Sequence, residues 1–148
     1  MNYVSKATKI ENFDKKNAPF YLVDHGDKVS LCFVLHLTPF YSCDLGQDAF
    51  NRYSESIGDP VKENGLFTHG SGYEWEYVFR KAFEDDPNID KITYDCEAGG
   101  FFCYGKDIDM MIDFGTRFRA LLNDEDTFYE LICKALPEDM TQETGMNM

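Results

Sequence analysis

Gly70-Ser71-Gly72-Tyr73-Glu74-Trp75-Glu76-Tyr77-Val78-Phe79-Arg80-Lys81-Ala82-Phe83 carries the most regular pattern in the chain, and the architecture follows from it. Trp75, Val78, Phe79, Ala82 and Phe83 fall at i, i+3, i+4, i+7 and i+8, the apolar stripe of a helix resting on a core. Ser71 and Glu74 have the spacing of a capping box, in which a hydroxyl and a carboxylate satisfy the free N–H groups of the first turn. Pro87 predicts an end near Asp86. The last turn then carries Glu84, Asp85 and Asp86, at the pole of the helix dipole that favours cations by about 0.3–1 kcal/mol each. That conflict is either tolerated surface charge or the mark of a functional patch.

Downstream, Ile92-Thr93-Tyr94-Asp95-Cys96 alternates as a strand does, Glu97-Ala98-Gly99-Gly100 has turn chemistry, and Phe101–Tyr104 returns as a partner. Asp107 is placed to cap a helix to about Leu122, with Ile108, Met111, Ile112, Gly115 and Phe118 on one face. Asn123 is read as the cap of a last helix, with Phe128, Leu131, Ile132 and Ala135 as its stripe and Pro137 as its end. Upstream, residues 20–24 and 29–37 read as a hairpin about His25-Gly26-Asp27. The near-continuous apolar run of the second strand implies burial on both faces. A helix over 44–57, capped by Asp44 or Ser42, and a long loop over 58–72 complete the order. Hairpins interleaved with helices predict an α+β domain: an antiparallel sheet of about four or more strands with helices packed on one face. The domain is read as residues 19–136. A flexible segment at 1–18, loosely ordered or a short edge strand, precedes it, and a frayed tail at 137–148 follows.

A chain of 148 residues suits one domain, and an aromatic content of 16% excludes a disordered one. The net charge is −13 and is uneven. Residues 1–74 carry 7 basic and 10 acidic side chains, residues 75–148 carry 7 and 17. Such a surface repels nucleic acid and anionic membranes, which bind through clustered Lys and Arg. It attracts basic partners and speeds their encounter by roughly 10- to 1000-fold at low salt. The plainer reading of the charge is solubility. No run of about 18 apolar residues is present, and the start of the chain lacks the apolar stretch of a signal peptide. Five cysteines without a C-x-x-C pattern suggest neither a disulfide framework nor a zinc ribbon, and a reducing cytosol is expected.

Chemistry-bearing patterns are sparse. His25, His36 and His69 are scattered without metal-ligand spacing, so no metal and no cofactor are expected. Asp107, Asp109 and Asp113 lack the glycine and terminal glutamate of a calcium loop. Cys43 with His25 or His69 is a nucleophile and base only on paper, since no catalytic-cysteine pattern surrounds it. Gly70-Ser71-Gly72 is a fragment of a phosphate loop without its lysine.

The segment Gly70-Ser71-Gly72-Tyr73-Glu74-Trp75 resembles the G-x-G-Y-(D/E)-W entry to a helix in the immunity protein 51 family of bacterial polymorphic toxin systems. Asp95-Cys96-Glu97-Ala98 is similar to that family's Asp-x-Glu-Ala turn about twenty residues on, followed by an aromatic strand (Phe101–Tyr104) and a helical end (107–135). The likeness covers roughly residues 65–135, with looser agreement over 20–37. Glu74 stands where aspartate is commoner, and residues 43–64 have no counterpart. The resemblance implies an immunity protein that binds and neutralises a cognate, basic toxin domain, a nuclease being one such class. It brings no catalytic residue to transfer, and it leaves Gly72, Tyr73 and Trp75 as mainly structural. The expected contacts are Tyr73, Glu84, Asp85, Asp86, Asp95, Glu97 and Tyr104, with rim charges setting on-rate and aromatic anchors setting residence time. An acidic adaptor for a non-toxin protein is the alternative, and a small enzyme the third.

Overall fold

The computed structural model describes residues 4–34, 45–58 and 69–136. In chain order the elements are α1 (Lys6–Lys16), β1 (Tyr21–Asp24), β2 (Val29–Val34), α2 (Gln47–Ser56), α3 (Gly72–Ala82), a 3₁₀ turn (Ile89–Lys91), β3 (Thr93–Tyr94), β4 (Gly100–Gly105), α4 (Ile108–Leu121) and α5 (Glu125–Ala135). The strands form one antiparallel sheet in the order β1-β2-β4-β3. The two expected hairpins are present, joined through their inner strands β2 and β4. This is an α+β fold.

Register explains the layering. Leu22, Leu31 and Cys103 lie opposite one another, as do Phe33 and Phe101, and this row faces the helices. Phe33 packs edge-on against Trp75 of α3, and Phe101 against Phe79 of α3 and Phe118 of α4. Phe118 is a hub, touching Phe20, Trp75, Phe79, Phe83, Phe101 and Phe128. Burying each such ring contributes about 1.5–3 kcal/mol. The alternate residues (Tyr21, Val23, Ser30, Cys32, Val34, Phe102, Tyr104) project to the other face, which no described helix covers. Val23 and Val34 are exposed there.

Several boundaries differ from the sequence reading. The polar start is neither loose nor a strand over Lys6–Lys16 but a helix, capped by Ser5. Its large apolar residues are Ile10 and Phe13. Phe13 is buried against the bare backbone of Gly115 in α4 and against Leu31, while Lys9 reaches Asp109 at 2.9 Å. Two apolar side chains one turn apart suffice because α4 presents a glycine to receive the ring. Helix α2 opens at Gly46 (φ 81°) rather than at Ser42 or Asp44, which lie outside the described residues. Helix α5 is capped by Asp124, whose carboxylate accepts from Asp126 and Thr127, and not by Asn123. The expected strand end at 35–37, most of the expected 58–72 loop and the expected tail also lie outside the described residues.

The most consequential correction concerns α3. It stops at Ala82, with Phe83 as its C-cap, and its last turn holds Arg80 and Lys81. Glu84, Asp85 and Asp86 lie beyond the helix, so the dipole conflict read from sequence does not exist. Proline at 87 limits how far a helix can run but does not require it to run that far. Here the chain turns four residues earlier, where Phe83 drops into the core against Phe79 and Phe114.

Candidate functional site

The entry to α3 is built from the glycine-rich stretch and the second hairpin together. Gly70 has φ 115°, a conformation that glycine tolerates and other residues resist. Ser71 caps the helix through the Glu74 N–H, and the Glu74 carboxylate accepts from the N–H groups of Gly70 (2.7 Å) and Ser71 (3.4 Å). His69 Nδ1 lies 2.6 Å from the same carboxylate. Gly72 donates to the Ala98 carbonyl, and a Cβ at position 72 would sit 2.0 Å from the carbonyl oxygens of both Glu97 and Gly100. The two halves of the sequence pattern, 70–75 and 95–98, are thus the two sides of one contact. The N–H groups that a phosphate loop would offer are spent inside the chain. Trp75, in the next turn, is buried among Phe33, Phe50, Phe118 and Phe128.

The opposite face of α3 is free. Tyr73, Glu76, Tyr77 and Arg80 repeat the i, i+3, i+4, i+7 spacing of the core stripe, displaced around the helix. Tyr73 and Tyr77 are 52% and 45% exposed. Arg80 pairs with Glu76 at 3.0 Å and lies over the ring of Tyr94 on β3, which fixes the strip against the edge of the sheet.

Most acids of the C-terminal half have partners. Asp107 and Asp124 cap helices. Glu125 and Asp126 hold Arg52, Asp109 holds Lys9, and Asp113 holds Arg117. The Asn88 backbone N–H and the Arg117 guanidinium (2.8 Å) hold the Asp86 carboxyl below the usual range, and Glu84 is paired with Lys81. Asp85, Asp90, Asp95, Glu97 and Glu130 differ. All five are exposed, and among the described residues none forms an ion pair. The first four run from the end of α3 to the β3–β4 turn.

Of the residues expected to form the contact surface, Tyr73, Asp95 and Glu97 share the end of α3 that meets the β3–β4 turn. Asp85 lies past the other end of α3, whose 11 residues span about 16 Å at 1.5 Å rise per residue. Glu84 and Asp86 are drawn into local pairs. Tyr104 projects from the outward face of the sheet, beneath the Lys28 ammonium at 4.0 Å. Asp95 shares that face, since its N–H donates to Phe102. Tyr77 and Asp90 were missed. The signal for Tyr77 was present: it stands four residues after Tyr73 and off the core stripe. Asp90 lies in a 3₁₀ turn too short for any periodicity to show.

The alternative chemistries find little geometry. Burial pushes the Cys32 and Cys96 thiols up to about 11 and that of Cys103 well above its ordinary value, so at neutral pH they are protonated. Cys43 lies outside the described residues; His25 meets Ser30 at 2.9 Å, and His69 meets Glu74. Among the described residues no three His, Cys, Asp or Glu side chains converge as metal ligands, and no helix is long and apolar enough to cross a membrane. The Immunity protein 51 family matches residues 20–137 of the chain. No curated protein and no solved structure matches it.

Proposed function

Because the chain belongs to the immunity protein 51 family, we propose that it neutralises a cognate toxin domain by binding it along the border formed by α3 and β3, without catalysis. One observation carries the location. Most described acids are paired or capping, and of the exposed ones without an ion pair, Asp85, Asp90, Asp95 and Glu97 fall within one short stretch that directly follows the helix bearing two exposed tyrosines. Desolvated aromatics supply residence time in protein interfaces, and unpaired rim charge supplies on-rate.

The toxin that fits this border is basic where it meets it, as a nuclease is where it holds phosphate. Occlusion of that cleft neutralises it. The free thiols of Cys32, Cys96, Cys103 and Cys133 suit action in the cytosol. The test is co-expression with the toxin domain of the same locus, scoring growth, followed by binding of the purified pair. Neutralising the four carboxylates to Asn or Gln is expected to slow association at least tenfold at low salt and to leave melting unchanged. Growth rescue and association both untouched by that variant would remove the border from the mechanism.

A further inference from the structure

A second surface has the opposite sign. Seven of the thirteen described Lys and Arg side chains are ion-paired (Lys6, Lys9, Lys15, Arg52, Arg80, Lys81, Arg117). Of the six that are not, three line a single cleft of about 600 Å³ where the end of β4 and the start of α4 meet the 3₁₀ turn: Lys28, Lys91 and Lys106. In a chain with 27 acids and 14 bases, three lysines at one cleft without an ion pair run against the composition. Two carboxylates also line it. That of Asp107 is committed to capping α4, accepting from the N–H of Asp109 at 2.9 Å and of Met110 at 3.3 Å. Asp27 is the other.

The cleft has the other parts of a binding site. Tyr104 forms a wall with the Lys28 ammonium 4.0 Å above its ring, and this contact holds one cation at the rim rather than leaving it to sweep through solvent. Met110 gives a second apolar wall. A volume of this order accepts a small molecule or a side chain from a partner. The net charge of the chain does not forbid entry, because at physiological salt charges beyond about 8 Å are largely screened and the three ammonium groups act at contact range.

We propose that this cleft is an anion-binding site, taking a group with two or more negative charges, phosphate or carboxylate, next to an apolar or aromatic body. The group arrives either on a free small molecule or as acidic side chains of a bound protein. The second source rests on the toxin-binding reading above, the first does not. Asn88, Lys91 and Thr93 of the segment 88–95 line the cleft, and the same segment carries Asp90 and Asp95 of the acidic border, so a single partner can reach both.

The experiment titrates the full chain with pyrophosphate and, separately, citrate at constant ionic strength, following backbone amides by NMR. A Lys28→Gln/Lys91→Gln/Lys106→Gln variant serves as the reference. A free anion as the ligand predicts saturable shifts at Lys28, Thr93, Tyr104 and Lys106, with affinity at least tenfold weaker in the variant. An acidic segment of the toxin predicts no saturable shift with either anion, but complex formation weakened at least tenfold by the same three substitutions. Absence of saturable shifts together with toxin binding retained within twofold overturns the proposal while leaving the acidic border standing. Where the wild-type chain forms no complex, the titration decides alone. The three positions are exposed or half-buried and outside the core, so the variant is expected to fold, with the amide spectrum of α3 and α4 as the check.

Discussion

Helix α3 shows the same spacing twice, with opposite consequences. Trp75, Val78 and Phe79 on one side are buried to within 1% exposure. Tyr73 and Tyr77 on the other stand about half in solvent. Both sides carry aromatic rings, but the outer one interleaves its tyrosines with Glu76 and Arg80, so hydrophobicity sorts the two faces. The backbone contact at Gly72 then holds that orientation. By letting the helix start touch the carbonyls of Glu97 and Gly100, it fixes the rotation of α3 about its axis. One side is then committed to the core, and the other stays in solvent. Gly72, Glu74 and Trp75 of the motif that carries the family likeness therefore set the fold, while its Tyr73, Asp95 and Glu97 stay exposed and belong to the border proposed for a partner.

The contrast can be broken from the core side first. Trp75→Ala removes the ring that joins Phe33, Phe50, Phe118 and Phe128 and is expected to cost about 3–5 kcal/mol, measured by denaturant unfolding. Trp75→Phe should cost much less, since the indole N–H is buried with no hydrogen-bond partner. A cost under about 1 kcal/mol for the alanine variant would show that the core is not organised around this residue. Gly72→Ala comes next. Its Cβ must push two backbone carbonyls away, and a loss of about 1–3 kcal/mol is expected in the same assay. Unchanged stability there would mean the two halves of the motif are not in contact.

The outer strip gives the reverse pattern. Tyr73→Ala with Tyr77→Ala is expected to move stability by no more than about 0.5 kcal/mol, as is usual for exposed positions, while weakening toxin binding at least tenfold by calorimetry. The smallest effect concerns the far end of α3, where Asp86 is held by Asn88 and Arg117. Its carboxyl is depressed in the folded state, so its stabilisation is present above the ordinary carboxylate range and is lost as pH falls through the lowered value. Thermal melts between pH 5 and pH 2 should therefore fall less steeply for Asp86→Asn than for the parent chain.

The helical stripe of α3, its capping box, both hairpins and the start of α4 were legible because each is a local pattern with one satisfactory outcome. Two kinds of feature were not. Helix α1 has a polar sequence, and its place depends on Gly115, about a hundred residues away, offering a socket for Phe13. No window along the chain contains both. The border of free carboxylates was masked in another way. Glu84, Asp85 and Asp86 look alike in sequence, yet Lys81 and Arg117 claim two of them and leave the third. Which acid is unpaired is decided in part by where a distant cation, Arg117, arrives. The lysine cleft belongs to the same class: its members are spread from residue 28 to residue 106.

The chain has a single tryptophan, and it lies at the centre of the phenylalanine cluster with 1% of its surface exposed. This makes the molecule its own optical gauge. Emission excited at the indole reports the integrity of the ring cluster, shifting to longer wavelength once water reaches it. It stays silent when a partner settles on the tyrosines across the helix. Changes that spoil the scaffold and changes that spoil recognition can thus be told apart in one cuvette, without a label.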